Sequence, residues 1–164
     1  METADVLVEV RDVRKSYSTS RSLFRSAKAQ VRAIDGVSLQ VRSGEILSLV
    51  GESGCGKTTV GRSIVGLAAI DDGAIYLRGK RIDNLTRTTM RSVRREIQIV
   101  FQDPFSSLNP RMRVREILAE PLTNYGIALS RLDVDRKVAE LLELVRLPSD
   151  AMLRYPHQFS GGQR

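Results

Sequence analysis

The sequence predicts an α/β fold, and three observations support this prediction. Short apolar or alternating segments, which are typical of strands, dominate the first two-thirds of the 164-residue chain. A glycine-rich segment, residues 51–56, connects one of these apolar segments to a helical pattern. Helical periodicity then dominates the last third, so we expect a helical insertion to follow the strands.

The composition describes a globular domain. Hydrophobic residues make up 41% of the chain and charged residues 27%, and no apolar run approaches the ~20 residues of a membrane helix. The first five residues lack the basic and apolar regions of a secretory signal. A single cysteine, Cys55, cannot form an internal disulfide, and this fits a cytosolic compartment.

The net charge of +7 comes from 26 Lys and Arg against 19 Asp and Glu. Arginines cluster at residues 78–81, 91–95 and 111–115, which is compatible with a nucleic-acid surface or with solvated loops and helix faces. Aromatic residues make up only 5% of the chain and do not alternate with these arginines. Because platforms for base stacking need such aromatics, the solvated surface is favoured and no nucleic-acid partner is expected.

The first strand candidates come before residue 51. Residues 6–10 are rich in β-branched side chains, and residues 18–30 are polar and predict a surface loop. Residues 37–41 alternate between apolar and polar and predict a strand with one buried face. Residues 46–50 form a nearly continuous apolar run, which predicts a strand buried on both faces.

The middle of the chain alternates between helical and extended patterns. A helix is predicted from Lys57 to Ala69 and a short basic helix over residues 90–96. Extended structure is predicted at residues 74–77, 81–82 and 97–101, with a turn at Arg78-Gly79 and a buried strand at residues 97–101. Residues 103–110 are rich in proline, serine and asparagine and predict a loop.

Two helices are predicted in the last third. The first covers residues 114–124 despite Pro121. The second begins with Ser130 and Asp133 in the spacing of a capping box and ends at Pro148. Its apolar residues fall on a single helical stripe: Val134, Val138, Leu141, Leu142 and Val145.

The glycine-rich segment matches the phosphate-loop pattern G-x-x-x-x-G-K-[ST]. The residues are Gly51, Glu52, Ser53, Gly54, Cys55, Gly56, Lys57 and Thr58. Glycines allow successive backbone N–H groups to surround an anion, and the following helix directs its positive end to the same place. Lys57 can then contact the β- and γ-phosphates and the Thr58 hydroxyl can bind Mg²⁺. The loop alone leaves kinases, GTPases, helicases and transport ATPases as alternatives.

A second glycine cluster closes the sequence. Ser160-Gly161-Gly162-Gln163 follows Phe159 and precedes an expected helix, which is a second design for phosphate binding. Together with the phosphate loop, it resembles the signature motif of ATP-binding cassette (ABC) ATPases, usually Leu-Ser-Gly-Gly-Gln. Phe159 replaces the leucine at a position that should pack rather than contact phosphate. Residues 103–112 and 155–163 resemble the ATPase subunits of oligopeptide and dipeptide importers, and the likeness covers about residues 5–164.

The resemblance implies further site residues. Tyr17 falls where the family places an aromatic ring that stacks on adenine, and Gln102 where it places a glutamine near the Mg²⁺. ATP phosphates would contact the loop from Gly51 to Thr59, and Thr58 and Gln102 would hold Mg²⁺. The signature residues, Phe159 to Gln163, would reach the ATP bound by a partner subunit. His157 precedes the signature, so it is interpreted as a positioning residue rather than as the family's downstream catalytic histidine.

The resemblance also implies the organisation and partners of the protein. The expected fold is that of a P-loop NTPase, an incomplete ABC ATPase with an antiparallel β subdomain and helical insertion. Residues 1–102 would form the β subdomain and phosphate-loop core, 103–155 the glutamine loop and helical subdomain, and 156–164 the signature. The family's Walker B strand, catalytic glutamate and switch histidine are not found, so we expect little turnover and marginal stability from this chain alone.

The expected partners are a second ATPase subunit, identical or related, and transmembrane permease subunits, with an extracytoplasmic peptide-binding protein as an indirect partner. The location would be the cytoplasmic face of the membrane. Two alternatives remain open. The chain could be a non-catalytic fragment that binds nucleotide or a permease, or an ABC ATPase that acts on nucleic acid rather than in transport.

Overall fold

The computed structural model describes residues 5–18, 30–103 and 107–160. The chain divides into two compact units, with the boundary between Ile99 and Val100. The first unit contains a sheet and the helix that follows the phosphate loop, and the described part of the second is helical. The predicted α/β class is therefore confirmed.

The first unit is built on an antiparallel sheet with the strand order β2-β1-β3-β4. The strands are β1 (Val6–Ser18), β2 (Gln30–Arg42), β3 (Asp72–Leu77) and β4 (Lys80–Arg81). β1 and β2 are much longer than predicted, because Ser18 and Gln30, assigned to a loop from their polarity, pair with each other. Residues 19–29, the rest of that expected loop, lie outside the described residues.

Apolar side chains on one face of the sheet form the core of the first unit. Val10, Val13 and Ile75 are each no more than 2% exposed. Further buried residues pack against them from the rest of the unit: Ile34, Val60, Ile82, Met90 and Val93. The predicted turn between β3 and β4 is confirmed, with Arg78 and Gly79 both at positive φ, 48° and 75°, the conformation of a tight hairpin turn.

The helix after the phosphate loop, α1 (Lys57–Ile64), is shorter than predicted. Gly66 adopts φ +68° and its N–H bonds to the carbonyl of Ser63, while the N–H of Leu67 bonds to that of Arg62. Glycine is the residue that ends helices in this left-handed conformation. The prediction to Ala69 was wrong because it treated Gly66 as a helix interior, and Leu67 is 53% exposed rather than buried. The basic helix predicted over residues 90–96 is also shorter in the structure, where α2 covers only Met90–Val93.

The two strands predicted to be buried, residues 46–50 and 97–101, are not strands in the structure. Ile46 and Val50 are 94% and 93% exposed, and Val100 is 88% exposed. A strand forms only where a neighbouring segment accepts its backbone hydrogen bonds. No described segment pairs with either of these two. The apolar composition of these segments could not indicate whether a partner strand is present, so both strand predictions were wrong.

The second unit contains α3 (Val114–Asn124) and α4 (Arg131–Leu144). Two 3₁₀ turns follow, Ser149–Leu153 and Pro156–Gln158. The prediction of α3 with Pro121 inside it is confirmed. No helix of the described ranges has both the length and the apolar character to cross a membrane.

The start of α4 confirms Ser130 as the helix cap, since its hydroxyl accepts the N–H of Asp133 at 3.1 Å. The Asp133 carboxylate accepts a hydrogen bond from that same hydroxyl at 2.8 Å rather than completing the reciprocal bond of the predicted capping box. The end of α4 was predicted wrongly, because the helix stops at Leu144 rather than at Pro148. Val145, which follows the helix, is 62% exposed, and Leu141, which lies within it, is 38% exposed. The rest of the predicted stripe is buried in the core of the unit, whose members are Leu122, Ala128, Val134, Val138, Leu142, Ala151 and Phe159.

Candidate nucleotide site

The phosphate loop folds as the glycine spacing predicts at its junction with α1. Gly54 and Gly56 adopt φ values of 84° and 99°, in the left-handed region that other residues rarely occupy. A β-carbon on Gly56 would lie 2.0 Å from the carbonyl oxygen of Ala33 in β2, whereas one on Gly54 would meet nothing within 4 Å. Gly56 is therefore required by both conformation and space, and the loop lies directly on the backbone of β2.

Lys57, the first residue of α1, folds back into the loop. Its ammonium donates to the carbonyl oxygens of Gly51, at 2.7 Å, and Glu52, at 2.6 Å. The Sγ of Cys55 lies 3.5 Å from the same nitrogen. Within the described part of the chain, the oxygen atoms that accept from this positive charge are those of two neutral carbonyl groups. Charged acceptors such as phosphate oxygens make stronger hydrogen bonds to an ammonium than neutral carbonyls do.

The first turn of α1 is open to an anion. Gly56 is the N-cap, no side chain caps the helix, and no acidic residue lies in the first turn. The N–H groups of such a turn have no partner within the helix and carry partial positive charge. Thr58 is exposed on this turn and Thr59 is half-buried. An exposed hydroxyl next to a bound phosphate suits Mg²⁺, which prefers oxygen ligands.

Tyr17 and the phosphate loop are brought to the same part of β2. Tyr17 is 45% exposed and pairs with Val31 across the β1–β2 ladder. Ala33, whose carbonyl faces Gly56, lies two residues further along β2, a distance of about 7 Å along a strand. The ammonium of Lys15 lies 5.5 Å from the centroid of the Tyr17 ring. The predicted aromatic residue and the predicted phosphate loop are therefore neighbours.

The remaining predicted residues belong to the second unit. Gln102 is exposed, and its role at Mg²⁺ stays a prediction. Phe159 is 6% exposed and packs in the core, as expected for that position. Ser160 is exposed, and Gly161, Gly162 and Gln163 lie outside the described residues, so the role of the signature stays a prediction. The ring of His157 stacks on that of Tyr155 with centroids 5.6 Å apart.

Sequence reasoning missed Asp71, which lies between α1 and β3. Its carboxylate accepts a hydrogen bond from the ammonium of Lys15 and another from the N–H of Ser16, each at 2.6 Å. Lys15, and after it the N–H of Ser16, lower the pKa of the Asp71 carboxyl below its usual value. No local pattern could reveal a contact between residues 56 positions apart.

The family model described as ABC transporter matches residues 34–164, and the chain belongs to this family. The resemblance drawn from the two glycine clusters is thereby confirmed. The oligopeptide transport ATP-binding protein AppF of Bacillus subtilis is 45% identical over 98% of this chain and 49% of its own length. The oligopeptide transport ATP-binding protein OppF of Escherichia coli is 42% identical over 99% of this chain and 49% of its own length. The di/tripeptide transport ATP-binding protein DppF of Pseudomonas aeruginosa is 41% identical over 98% of this chain and 49% of its own length.

The chain spans about half the length of these curated relatives. Among solved structures, it is similar to the dimeric, post-hydrolysis state of the ATP-binding cassette MJ0796 bound to ADP and Pi. That match has a TM-score of 0.75 and 28% identity, and it covers 96% of this chain and 65% of the other. Family membership implies a nucleotide-binding domain, the function class that the phosphate loop indicates.

Proposed function

We propose that the chain is the nucleotide-binding portion of an ATPase subunit of an importer for oligopeptides or dipeptides. The observation that carries the proposal is the phosphate loop, in which Lys57 is held at the open N-terminus of α1. Support for the peptide substrate comes from the names of the relatives, which are peptide transport proteins. Those names do not favour the alternative of an ABC ATPase acting on nucleic acid.

In this proposal the residues Gly51 to Thr59 bind the phosphates of ATP. Lys57 exchanges its two carbonyl partners for oxygens of the β- and γ-phosphates, because these carry negative charge. Thr58 and Gln102 hold Mg²⁺, which neutralises phosphate charge when it is bound. Tyr17 offers its exposed ring to the adenine.

Transport requires partners beyond this chain. A second ATPase subunit would present its phosphate loop to the signature residues, Ser160 to Gln163, as the dimeric form of the similar cassette suggests. Residues 1–102 would serve as the nucleotide-binding part, residues 103–155 as the glutamine loop and helical subdomain, and residues 156–164 as the signature that contacts the partner's ATP. The loop from Gln102 to Pro110 would transmit the motion to the permease. A peptide-binding protein outside the membrane would deliver the substrate, and this subunit would lie at the cytoplasmic face.

Equilibrium titration with Mg²⁺-ATP tests the proposal. A charge-assisted contact is worth about 1.5–3 kcal/mol, so Lys57→Ala should weaken ATP binding by roughly 10- to 150-fold. Lys80→Ala is the matched control, since it removes one lysine from the exposed β3–β4 hairpin of the same unit. The proposal fails if the Lys57 variant binds ATP as tightly as the Lys80 variant does.

A further inference from the structure

We infer that Asp71 is a positioning residue that fixes Tyr17 for stacking on a nucleotide base, so that Asp71 determines how strongly the site prefers a nucleotide to a bare polyphosphate. The inference deepens the proposed function and rests on it. Asp71 does not contact the ligand in this arrangement. It acts by holding the end of β1, the strand that carries Tyr17.

Asp71 contacts each of the three residues that precede Tyr17. Its own N–H donates to the carbonyl oxygen of Arg14 at 2.8 Å. Its two carboxylate oxygens then divide between the next two residues: Oδ1 accepts the Lys15 ammonium and Oδ2 accepts the Ser16 N–H. One residue thereby fixes the backbone and a side chain immediately before the aromatic ring.

Asp71 binds β1 at the point where the hydrogen bonds between β1 and β3 end. The pairing of β1 with β3 ends at Arg14, which lies opposite Asp72. Beyond that point the β3 side of β1 has no strand partner among the described residues, and the Asp71 carboxylate takes the N–H of Ser16 instead. The other side, against β2, is irregular here, with a register shift between Lys15 and Ser16. Without Asp71, the segment that ends in Tyr17 would be held by that irregular ladder alone.

Asp71 also controls the surroundings of the ring. It holds the ammonium of Lys15, whose side chain is only 16% exposed, and that ammonium lies over the Tyr17 ring. A cation over one face of an aromatic ring is attracted to it. The base would then stack on the opposite face. Because Asp71 follows α1 in the chain, it also ties the ring to the segment after the helix that begins at the phosphate loop.

The test compares the affinity for ATP with the affinity for inorganic tripolyphosphate, which has phosphates but no base. Stacking of a base on an aromatic residue corresponds to about 5- to 150-fold in affinity, so Tyr17→Ala should lower the ratio of ATP to tripolyphosphate affinity by about that factor. We expect Asp71→Asn to lower the same ratio at least about threefold, with tripolyphosphate affinity nearly unchanged. In the double variant the two effects should not add, since both act on one ring.

Asp72→Asn is the matched control, because it removes the same charge one residue away and leaves the contacts to Lys15 and Ser16 intact. The inference is overturned if Asp71→Asn leaves the ratio unchanged, weakens both ligands equally, or adds fully to Tyr17→Ala. If Asp71→Asn does not fold by circular dichroism, Lys15→Gln decides in its place, and an unchanged ratio there overturns the inference.

The outcomes for the unmodified chain separate this inference from the proposed function. If the chain binds neither ligand, the nucleotide site itself is wrong. If it binds tripolyphosphate as tightly as ATP, phosphate binding by the loop is supported and the positioning role of Asp71 is contradicted. A preference for ATP that Asp71→Asn removes supports both.

Discussion

The carbonyl oxygen of Ala33 occupies the space that a β-carbon on Gly56 would need, with only 2.0 Å between the two positions. The phosphate loop therefore reaches its observed path only because residue 56 has no side chain. This contact joins the loop to β2, the strand that pairs with the Tyr17 end of β1. The position of the loop relative to the sheet depends on it.

Replacing Gly56 with alanine should displace the loop and greatly weaken ATP binding. The Gly54→Ala variant separates the two causes, since Gly54 shares the left-handed conformation but has open space around it. Strain alone should cost about 1–3 kcal/mol, whereas Gly56→Ala carries the steric clash in addition. Denaturant unfolding and ATP titration of both variants measure the difference. Equal losses of unfolding free energy and of ATP affinity in the two variants would show that the close approach to Ala33 adds nothing to the effect of backbone strain.

Bound ATP should protect Cys55 from alkylation. The thiol is exposed within the phosphate loop, 3.5 Å from the Lys57 ammonium, and phosphates seated in the loop would cover it. Because the chain has a single cysteine, the rate of maleimide modification reports this position alone. We expect modification to slow in proportion to the fraction of chain bound to ATP. A rate that saturating ATP leaves unchanged would contradict the proposed binding mode.

Asp83 should make the first unit sensitive to acid. The Asp83 side chain is 7% exposed, and this burial raises the pKa of its carboxyl. Hydrogen bonds from Arg81 and from the Ile75 N–H together outweigh the effect of burial, so the pKa is lower than its usual value. A pKa that is lower in the folded state adds stability above the unfolded pKa, about 3.9, and that stability is lost as pH falls through the folded value.

The Asp83→Asn variant tests this pH dependence. It should lose about 1–3 kcal/mol of unfolding free energy at pH 7 and a smaller amount at pH 3, which lies below the unfolded pKa, so that the unfolded state binds the proton more readily than the folded state does. Urea unfolding at both pH values measures the two losses. Asp35→Asn, at a carboxylate that is 58% exposed, serves as the control. An identical loss of unfolding free energy at both pH values would contradict a lowered pKa of Asp83 in the folded state.

Phe159→Ala should destabilise the second unit. Phe159 is 6% exposed in a core with Val138 and Leu142, and truncating a buried phenylalanine typically costs about 3–5 kcal/mol. Leu129→Ala, at a side chain that is 89% exposed, is the control and should cost little. Thermal unfolding of both variants, followed by circular dichroism, measures the difference. Similar midpoints would show that Phe159 does not stabilise this unit.

Features with a local cause could be predicted from the sequence. The phosphate loop follows from the spacing of its glycines and Lys57, and the start of α4 follows from the Ser130 cap. The hairpin turn at Arg78-Gly79 is local in the same sense. In each case the atoms that stabilise the conformation belong to residues only a few positions apart.

Features with a distant cause could not be predicted. Residues 46–50 have the composition of a strand, but a strand depends on a neighbour that the pattern does not contain. The extension of β1 to Ser18 depends on Gln30 as its partner. The contact of Asp71 with Lys15 joins residues that only the folded chain brings together. The end of α1 is the exception, because Gly66 was a local signal and its weight was underestimated.

The folded-back position of Lys57 bears on how fast a ligand can arrive. The ammonium already occupies the hollow of the loop and satisfies the carbonyls that surround it. An incoming anion would draw the ammonium away from these two carbonyls, a movement of one side chain that takes picoseconds to nanoseconds. Capture would then be governed by diffusional encounter and the local electric field, rather than by a slow rearrangement of the receptor.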